Sequence, residues 1–431
     1  MEKITTMKAE RIAHDGAAES TYEGKELRVH GMLPGEEGIV EIDKKHGLYV
    51  GILKELVVAS DRRKTPEELH FLSCSPWQVM EYSLQAELKH GMLASLFEYY
   101  EDAPKVSFVS AKHFFGYRTK AEFSFTDRKL GEPAPLALAF HVRGRGNERI
   151  ALPEGCALVS SNMNQVALEI CSRLRNLGYS ARDLKTLIVR EGKSTGKILA
   201  LLFTKKEDLQ EFTVDDIPNL SGFMVFHSTE KSPASVPTKE LWTWGDDFLV
   251  ESVEDKELSY SWDSFFQNNV PMFESALLAM RSHLPKNAHV LELYSGIGTI
   301  GLLLAGKSET VRGIEVVSGA VISANENAAR LGITNYSAEC LPAEKIDSTI
   351  IHRSDVLVLD PPRAGLHPKV IKMIQEVLPQ RIIYLSCNPE TQARDYAALQ
   401  PQYRIDECMG FDFYPQTPHL ESLLILSLRD A

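Results

Sequence analysis

The sequence predicts a multidomain α/β protein: a small N-terminal β-barrel of the OB type, a central α+β domain and a C-terminal Rossmann-like α/β domain. Three observations carry this. A chain of 431 residues exceeds the usual size of one domain. Its first 60 residues alternate apolar and polar side chains between glycine and proline turns. From residue 257 onward, continuous apolar runs alternate with helical segments.

Within residues 1–60, R-V-H-G-M-L-P-G-E-E-G-I-V-E-I is broken by Pro34, Gly35 and Gly38, and H-G-L-Y-V-G-I-L-K-E-L-V-V adds a further strand pair. Several short strands in so short a span suit a small barrel. Residues 61–68 are charged, contain Pro66 and read as a linker into the central domain, 61–256. Residues 82–100 have helical periodicity, with Leu84, Leu88, Leu93, Leu96 and Phe97 on one face. Strands and short helices are expected to alternate over 106–251, and residues 228–240, with two prolines, read as a loop. The third domain, 257–431, carries H-V-L-E-L, V-R-G-I-E, D-V-L-V-L-D, R-I-I-Y-L and S-L-L-I-L-S-L. Runs of this kind imply a parallel sheet buried on both faces, with ligands at the carboxyl ends of its strands.

Composition narrows the class. The chain is 44% hydrophobic and 25% charged, as ordinary globular proteins are. The first residues have no apolar signal segment. Apolar runs such as 198–203 fall far short of the roughly 20 residues of a membrane span. Six cysteines without regular spacing do not suggest a disulfide framework, which points to a reducing cytoplasm. The net charge of −12 argues against a nucleic-acid partner, yet residues 105–200 hold 16 Lys+Arg against 8 Asp+Glu. That stretch is +8, which leaves −20 on the rest. A basic middle of this kind suits a polyanion on one face, or a solvated face with no partner.

Residues 291–301 read L-E-L-Y-S-G-I-G-T-I-G, and Glu315 lies 19 residues after Gly296. Gly296, Gly298 and Gly301 satisfy the dinucleotide fingerprint, so a nicotinamide ligand stays open on this loop alone. Glu292, ahead of the glycines, favours S-adenosylmethionine instead: a carboxylate there attracts an ammonium or sulfonium group and repels a pyrophosphate. Gly296 and Gly298 let a ligand lie against the backbone. Glu315 would bind ribose hydroxyls, and Tyr294 would pack beside the ligand. Asp360 ends another strand, and Pro361 and Pro362 hold the following loop extended.

Residues 384–395 read Y-L-S-C-N-P-E-T-Q-A-R-D. Asn388 suits an N-cap and Pro389 a first helical position, so Cys387 is expected beside a helix N-terminus that favours its thiolate. A methyltransferase acting on nitrogen or oxygen needs no nucleophile. Carbon 5 of a pyrimidine does: thiolate addition at carbon 6 makes carbon 5 electron-rich, and a base must then remove its proton. In F-D-F-Y-P-Q-T-P-H-L-E, 411–421, the favoured base is Glu421, at the mouth of the final strand; Asp412 and His419 are rivals. Open alternatives are a nitrogen methyltransferase, indifferent to Cys387, and an inactive RNA-binding protein.

D-P-P-R-A-G, Y-L-S-C-N-P-E-T-Q-A-R-D and D-F-Y-P-Q-T-P-H-L-E resemble the signature blocks of the RNA uracil-C5 methyltransferases. F-F-Q-N-N, 265–269, is similar to that family's F-F-Q-x-N segment, and G-Y-R-T-K-A-E-F, 116–123, to its central-domain block. The resemblance implies that Gln267, Tyr294, Glu315 and Asp360 bind the methyl donor, that Cys387 is the nucleophile and that Glu421 is the proton acceptor. It likens the N-terminal barrel to a TRAM domain, which implies 23S ribosomal RNA as substrate, with transfer RNA as the alternative, and a cytoplasmic monomer. Many ribosomal members hold an iron–sulfur cluster on three close cysteines and a distant fourth. Here the corresponding stretch, H-F-L-S-C-S-P-W-Q, has only Cys74, and Cys156 lies near the place of the fourth. Two thiolates do not make that ligand set, so no cluster and no metal are expected.

Overall fold

Val356, Leu357, Val358 and Leu359 are each 0% exposed. The two valines join one apolar cluster and the two leucines another. A strand with two buried faces must lie inside a layered sheet, and fully burying such side chains contributes about 1.5–3 kcal/mol each. The computed structural model describes residues 3–45, 47–100, 105–129, 132–145, 148–346, 350–351 and 356–429. Asp355 of the expected strand and the outer ends of the expected domains, 1–2 and 430–431, lie outside the described residues.

The sheet has eight strands, in the order Tyr336–Cys340, Ser308–Glu315, Ala288–Leu293, Val356–Leu359, Arg381–Ser386, Glu421–Leu428, Tyr403–Phe411, Ser107–Val109. The first five run parallel. Glu421–Leu428 is antiparallel to Arg381–Ser386, so it begins where its neighbour ends. Helices Val270–Ser282, Thr299–Leu304, Ser318–Arg330, Pro368–Val377 and Pro389–Leu399 accompany it. The last strand comes from far back in the chain: Ser107–Val109 pairs parallel with Tyr403–Phe411. The hairpin Phe248–Val253 and Lys256–Ser261 spans the expected boundary at 256/257. Asn327 holds its second strand, accepting from the Ser259 N–H at 2.8 Å.

The central region is a seven-stranded sheet in the order Arg149–Ala151, Glu132–His141, Lys120–Lys129, Leu184–Glu191, Ile198–Thr204, Leu220–His227, Lys239–Gly245. It is mostly antiparallel and carries one long helix, Ser161–Asn176, where alternating short helices were expected. The N-terminal residues form a six-stranded sheet over a small core that includes Leu27, Val29, Val40 and Ile42. Among the described residues, no helix is long and apolar enough to cross a membrane.

Two expectations change. Helix Tyr82–Phe97 buries Gln85, Lys89, Leu93 and Phe97, an i, i+4 stripe whose first half is polar. Leu84 and Leu88 instead pack at the side, against the Trp77 cluster. The basic excess is also largely used inside the molecule. Arg190 is buried, and Arg118 is held within the fold. Arg173 pairs with Asp216 and Glu169, Arg145 with Glu41, and Lys193 with Glu191. Arg143, Arg149, Arg175 and Lys185 donate to carbonyls. Partners distant in sequence made the count look freer than the surface is.

Candidate active site

The sheet register brings the expected residues to one edge. Leu293 lies opposite both Ile314 and Leu359, and Leu359 opposite Tyr384. Tyr294, Glu315, Asp360 and Cys387 therefore stand at the carboxyl ends of four adjacent strands. Ser386 is paired with Ser422, so Glu421 begins its strand directly beside Cys387.

The glycine turn is built around carboxylates. Tyr294 leaves its strand at φ 63°, a left-handed conformation costly for a bulky residue, and so redirects the chain into the turn. Gly298, at φ 78°, caps the helix Thr299–Leu304, and a Cβ there would strike the Tyr336 hydroxyl. Gly296, at φ 54°, faces open space. Glu315 Oε2 accepts the Gly296 N–H at 2.9 Å, and its Oε1 accepts those of Val316 and Val317 at 2.8 and 2.9 Å. Glu292 departs from expectation. It is 1% exposed and gives Oε2 to the Gly301 N–H at 3.0 Å, so it braces the turn from within instead of standing open at the strand end. The Ser295 and Tyr336 hydroxyl oxygens are buried with no hydrogen-bond partner among the described residues.

Asp360 accepts from Gln267 Nε2 at 3.3 Å. Gln267 is set by its own neighbours: Thr119 Oγ1 donates to its carbonyl at 3.3 Å, and Asn269 caps helix Val270–Ser282 while donating to Phe413 O at 3.1 Å. Burial pushes the Asp360 carboxyl up to about 7. Burial, and then the Asp360 charge, push Glu292 up to about 8.

The ligand-free protein should therefore lose stability as pH rises. In the unfolded chain these acids titrate near 3.8 and 4.5. Below about pH 3 both are mostly neutral in either state, so ionisation adds no cost to their burial. At higher pH the unfolded chain ionises first, so stability falls until the pH passes their folded values near 8. Urea unfolding at about pH 5 and about pH 8 should show this fall, and Asp360→Asn should reduce it. An equal fall in that variant would contradict the assignment.

The motif around Cys387 is mostly scaffolding. Asn388 does not cap its helix with its side chain; its Nδ2 donates to Arg363 O at 3.0 Å, and Thr391 Oγ1 to the same carbonyl at 3.2 Å. Asp395 accepts from Leu366 N at 2.7 Å and Tyr384 OH at 2.8 Å. Gln392 Nε2 bridges Tyr384 O at 2.8 Å and Ser422 O at 3.2 Å. These bonds fasten the Asp360 loop and the Glu421 strand to the thiol. Cys387 itself is half-buried. Burial first, then the Glu421 and Asp360 charges, push its thiol up to about 12, while Arg363 draws it down. Burial above all, with the two carboxyls after it, therefore raises the thiol where the helix end was expected to lower it.

Glu421 is 3% exposed, accepts from Tyr414 OH at 3.2 Å, and is raised well above the carboxylate range by burial and the Asp360 charge. The rivals are engaged elsewhere. Asp412 binds Lys89 Nζ at 2.6 Å and Tyr82 OH at 2.9 Å. Burial holds the His419 imidazole down, at about 4. Sequence reasoning missed the bolts on this loop. Lys89 Nζ also donates to Tyr414 O at 3.0 Å, Gln85 and Gln416 exchange bonds of 2.8 and 2.9 Å, and Tyr117 OH reaches Pro415 O at 3.1 Å. The signal was present: Gln85 and Lys89 sit four residues apart, in line with Leu93 and Phe97.

Residues 238–429 match the model of a family described as tRNA (Uracil-5-)-methyltransferase. An uncharacterized RNA methyltransferase of Caldanaerobacter subterraneus is 29% identical, over 98% of this chain and 98% of its own. One of Halalkalibacterium halodurans is 28% identical, over 99% and 97%. The structure of Pyrococcus abyssi tRNA (uracil-54, C5)-methyltransferase in complex with S-adenosyl-L-homocysteine shares the fold, with a TM-score of 0.79 at 24% identity, covering 99% of this chain and 100% of that one. On the family match over residues 238–429 and these relatives, the chain is similar to the RNA uracil-5-methyltransferases.

Proposed function

We propose that the chain transfers a methyl group from S-adenosylmethionine to carbon 5 of a uridine in RNA, through a bond between Cys387 and carbon 6. The observation that carries this is the placement of Cys387 beside Glu421 at the strand ends that also hold Asp360, Tyr294 and Glu315. The residues fit the donor. Open space over Gly296 admits its backbone-hugging pose, and an acidic edge suits a cation and disfavours a dinucleotide. Glu315 would take the ribose, Asp360 and Gln267 the polar adenosyl and amino acid groups, and Tyr294 a flank. Glu292, Gly296 and Gly298 shape the turn. When bound, the donor supplies an electrophilic methyl group.

Cys387 gives its proton to solvent, a step that Arg363 favours, and Sγ bonds to carbon 6. The ring electrons then reach carbon 5, which would take the methyl group as the donor leaves as S-adenosylhomocysteine. Glu421 removes the carbon 5 proton; that electron pair restores the ring double bond and expels the Cys387 thiolate. A raised pKa suits Glu421 to accept a carbon-bound proton. Glu421→Gln should form the bond and fail to release it, leaving a protein–RNA band on a denaturing gel. Free protein alone in that lane, with donor and RNA present, would remove Glu421 from this role.

The N-terminal sheet, read as a TRAM-like module, and the central domain would hold the RNA by phosphate contacts and shape, with the uridine swung out of its stack. The proposed substrate is 23S ribosomal RNA. A tRNA substrate is the second reading, favoured by one observation: the Pyrococcus abyssi tRNA enzyme matches 99% of this chain, so the N-terminal sheet does not by itself select ribosomal RNA. Mapping 5-methyluridine in both RNAs, from cells with and without the gene, separates the two.

A further inference from the structure

The segment leading out of the N-terminal sheet gathers three metal-binding side chains that methyl transfer does not use, and a fourth, Cys156, comes from the loop ahead of helix Ser161–Asn176. Candidate ligand atoms of Glu68, His70 and Cys74 all lie within 4.8 Å of one another. Cys74 Sγ is 3.4 Å from His70 Nδ1 and 3.7 Å from Glu68 Oε2. Cys156, 4% exposed, lies near enough to Cys74 that each thiol alters the other's hold on its proton. We propose that Cys74 Sγ, Cys156 Sγ, His70 Nδ1 and Glu68 Oε2 hold one zinc ion.

The spacing fits. With zinc–sulfur bonds of roughly 2.3 Å and zinc–nitrogen or zinc–oxygen bonds of roughly 2.0 Å, neighbouring ligands of a tetrahedron stand about 3.5 Å apart. The support around the ligands fits too. His70 Nε2 lies 3.0 Å from Gly155 O, which fixes the proton there and leaves the Nδ1 lone pair facing Cys74. Glu68 is oriented by Gln78 Nε2, donating to Oε2 at 2.8 Å, and by the Ala157 N–H on Oε1. The Cys156 loop is built as well. Gly155 turns it at φ 87°, and Asn164 both accepts the Cys156 N–H at 2.9 Å and donates to its carbonyl at 3.0 Å.

The ligand set favours zinc over an iron–sulfur cluster. Such a cluster needs four thiolates, and the described residues here offer two. Trp77, three residues after Cys74, is 1% exposed and donates to Gly16 O at 3.1 Å. Two thiolates with an imidazole and a carboxylate suit a tetrahedral zinc ion. The ion would staple residues 68–74 to the loop ahead of helix Ser161–Asn176. It also lies close to the catalytic loop, because the Trp77 N–H donates to Gln416 O at 3.1 Å.

Elemental analysis of protein purified from zinc-supplemented cells tests this apart from any activity. About one zinc per chain is expected. Cys74→Ser and Cys156→Ser should lose it, and Cys171→Ser, buried against Leu136, should retain it. Should either serine variant fail to fold, metal-stripped wild-type protein is titrated with cobalt(II). A thiolate-to-cobalt charge-transfer band that zinc removes supports the site. Iron with acid-labile sulfide would overturn it. So would a chain that retains no metal and shows no cobalt band, which would make the four side chains a hydrogen-bonded cluster only.

Discussion

Cys387→Ala is expected to abolish methyl transfer, a loss of about 10⁴-fold or more in kcat, while the affinity for S-adenosylmethionine stays nearly unchanged. Of the proposed donor-binding groups, Tyr294, Glu315 and Asp360 stand at their own strand ends and Gln267 is held by Asp360 and Thr119, so none relies on the thiol. Removing the sulfur also lifts no brace, because the motif's fastening is done by Asn388, Thr391, Gln392 and Asp395. Isothermal titration with the donor and a tritium-transfer assay separate the two effects. Normal transfer by the alanine variant would show that carbon 5 reacts without a covalent assist, and would favour a nitrogen acceptor instead.

Lys89→Met is expected to cost about 3–5 kcal/mol of stability, the range for removing one partner of a buried ion pair. Lys89 and Asp412 are both 0% exposed, and their 2.6 Å bond is the only ion pair that either group makes among the described residues. Losing the lysine leaves Asp412 with the Tyr82 hydroxyl and no cation. Tyr414 also loses the bond to its carbonyl, so the group that holds Glu421 shifts and transfer slows. A Lys89→Met, Asp412→Asn double variant should recover part of the stability, because no unpaired charge remains. Thermal unfolding of both proteins checks this. Equal losses in the single and double variants would mean that packing, not the ion pair, sets the cost.

The two variants mark what the sequence could and could not disclose. Asp360 and Cys387 were legible because an apolar run stops abruptly at each, and Glu421 because one begins there; its strand is antiparallel to its neighbour, so its start meets those stops at one edge. Glu315 was legible from its spacing to Gly296. The pairing of Lys89 with Asp412 was not, since 323 residues separate them and only the folded chain joins the helix to the loop. For the same reason the apolar face assigned to residues 82–100 was turned: Leu84 and Leu88 are good core residues locally, but the deepest stripe begins with Gln85 and Lys89. The raised thiol was not legible either, because helix-end electrostatics is local, whereas the burial of Cys387 and the charges of Glu421 and Asp360 come from the folded sheet. The charge count over residues 105–200 likewise omits partners outside that stretch, such as Glu41 for Arg145 and Asp216 for Arg173.

The most direct test of the account is the identity of the residue bonded to RNA. RNA carrying 5-fluorouridine has no removable proton at carbon 5, so a uridine attacked at carbon 6 and methylated stays attached to the protein. After nuclease and protease digestion, mass spectrometry should find the nucleotide on the peptide containing Cys387 and on no other. A methylated product with unmodified Cys387, or a nucleotide carried by a different side chain, would contradict the account.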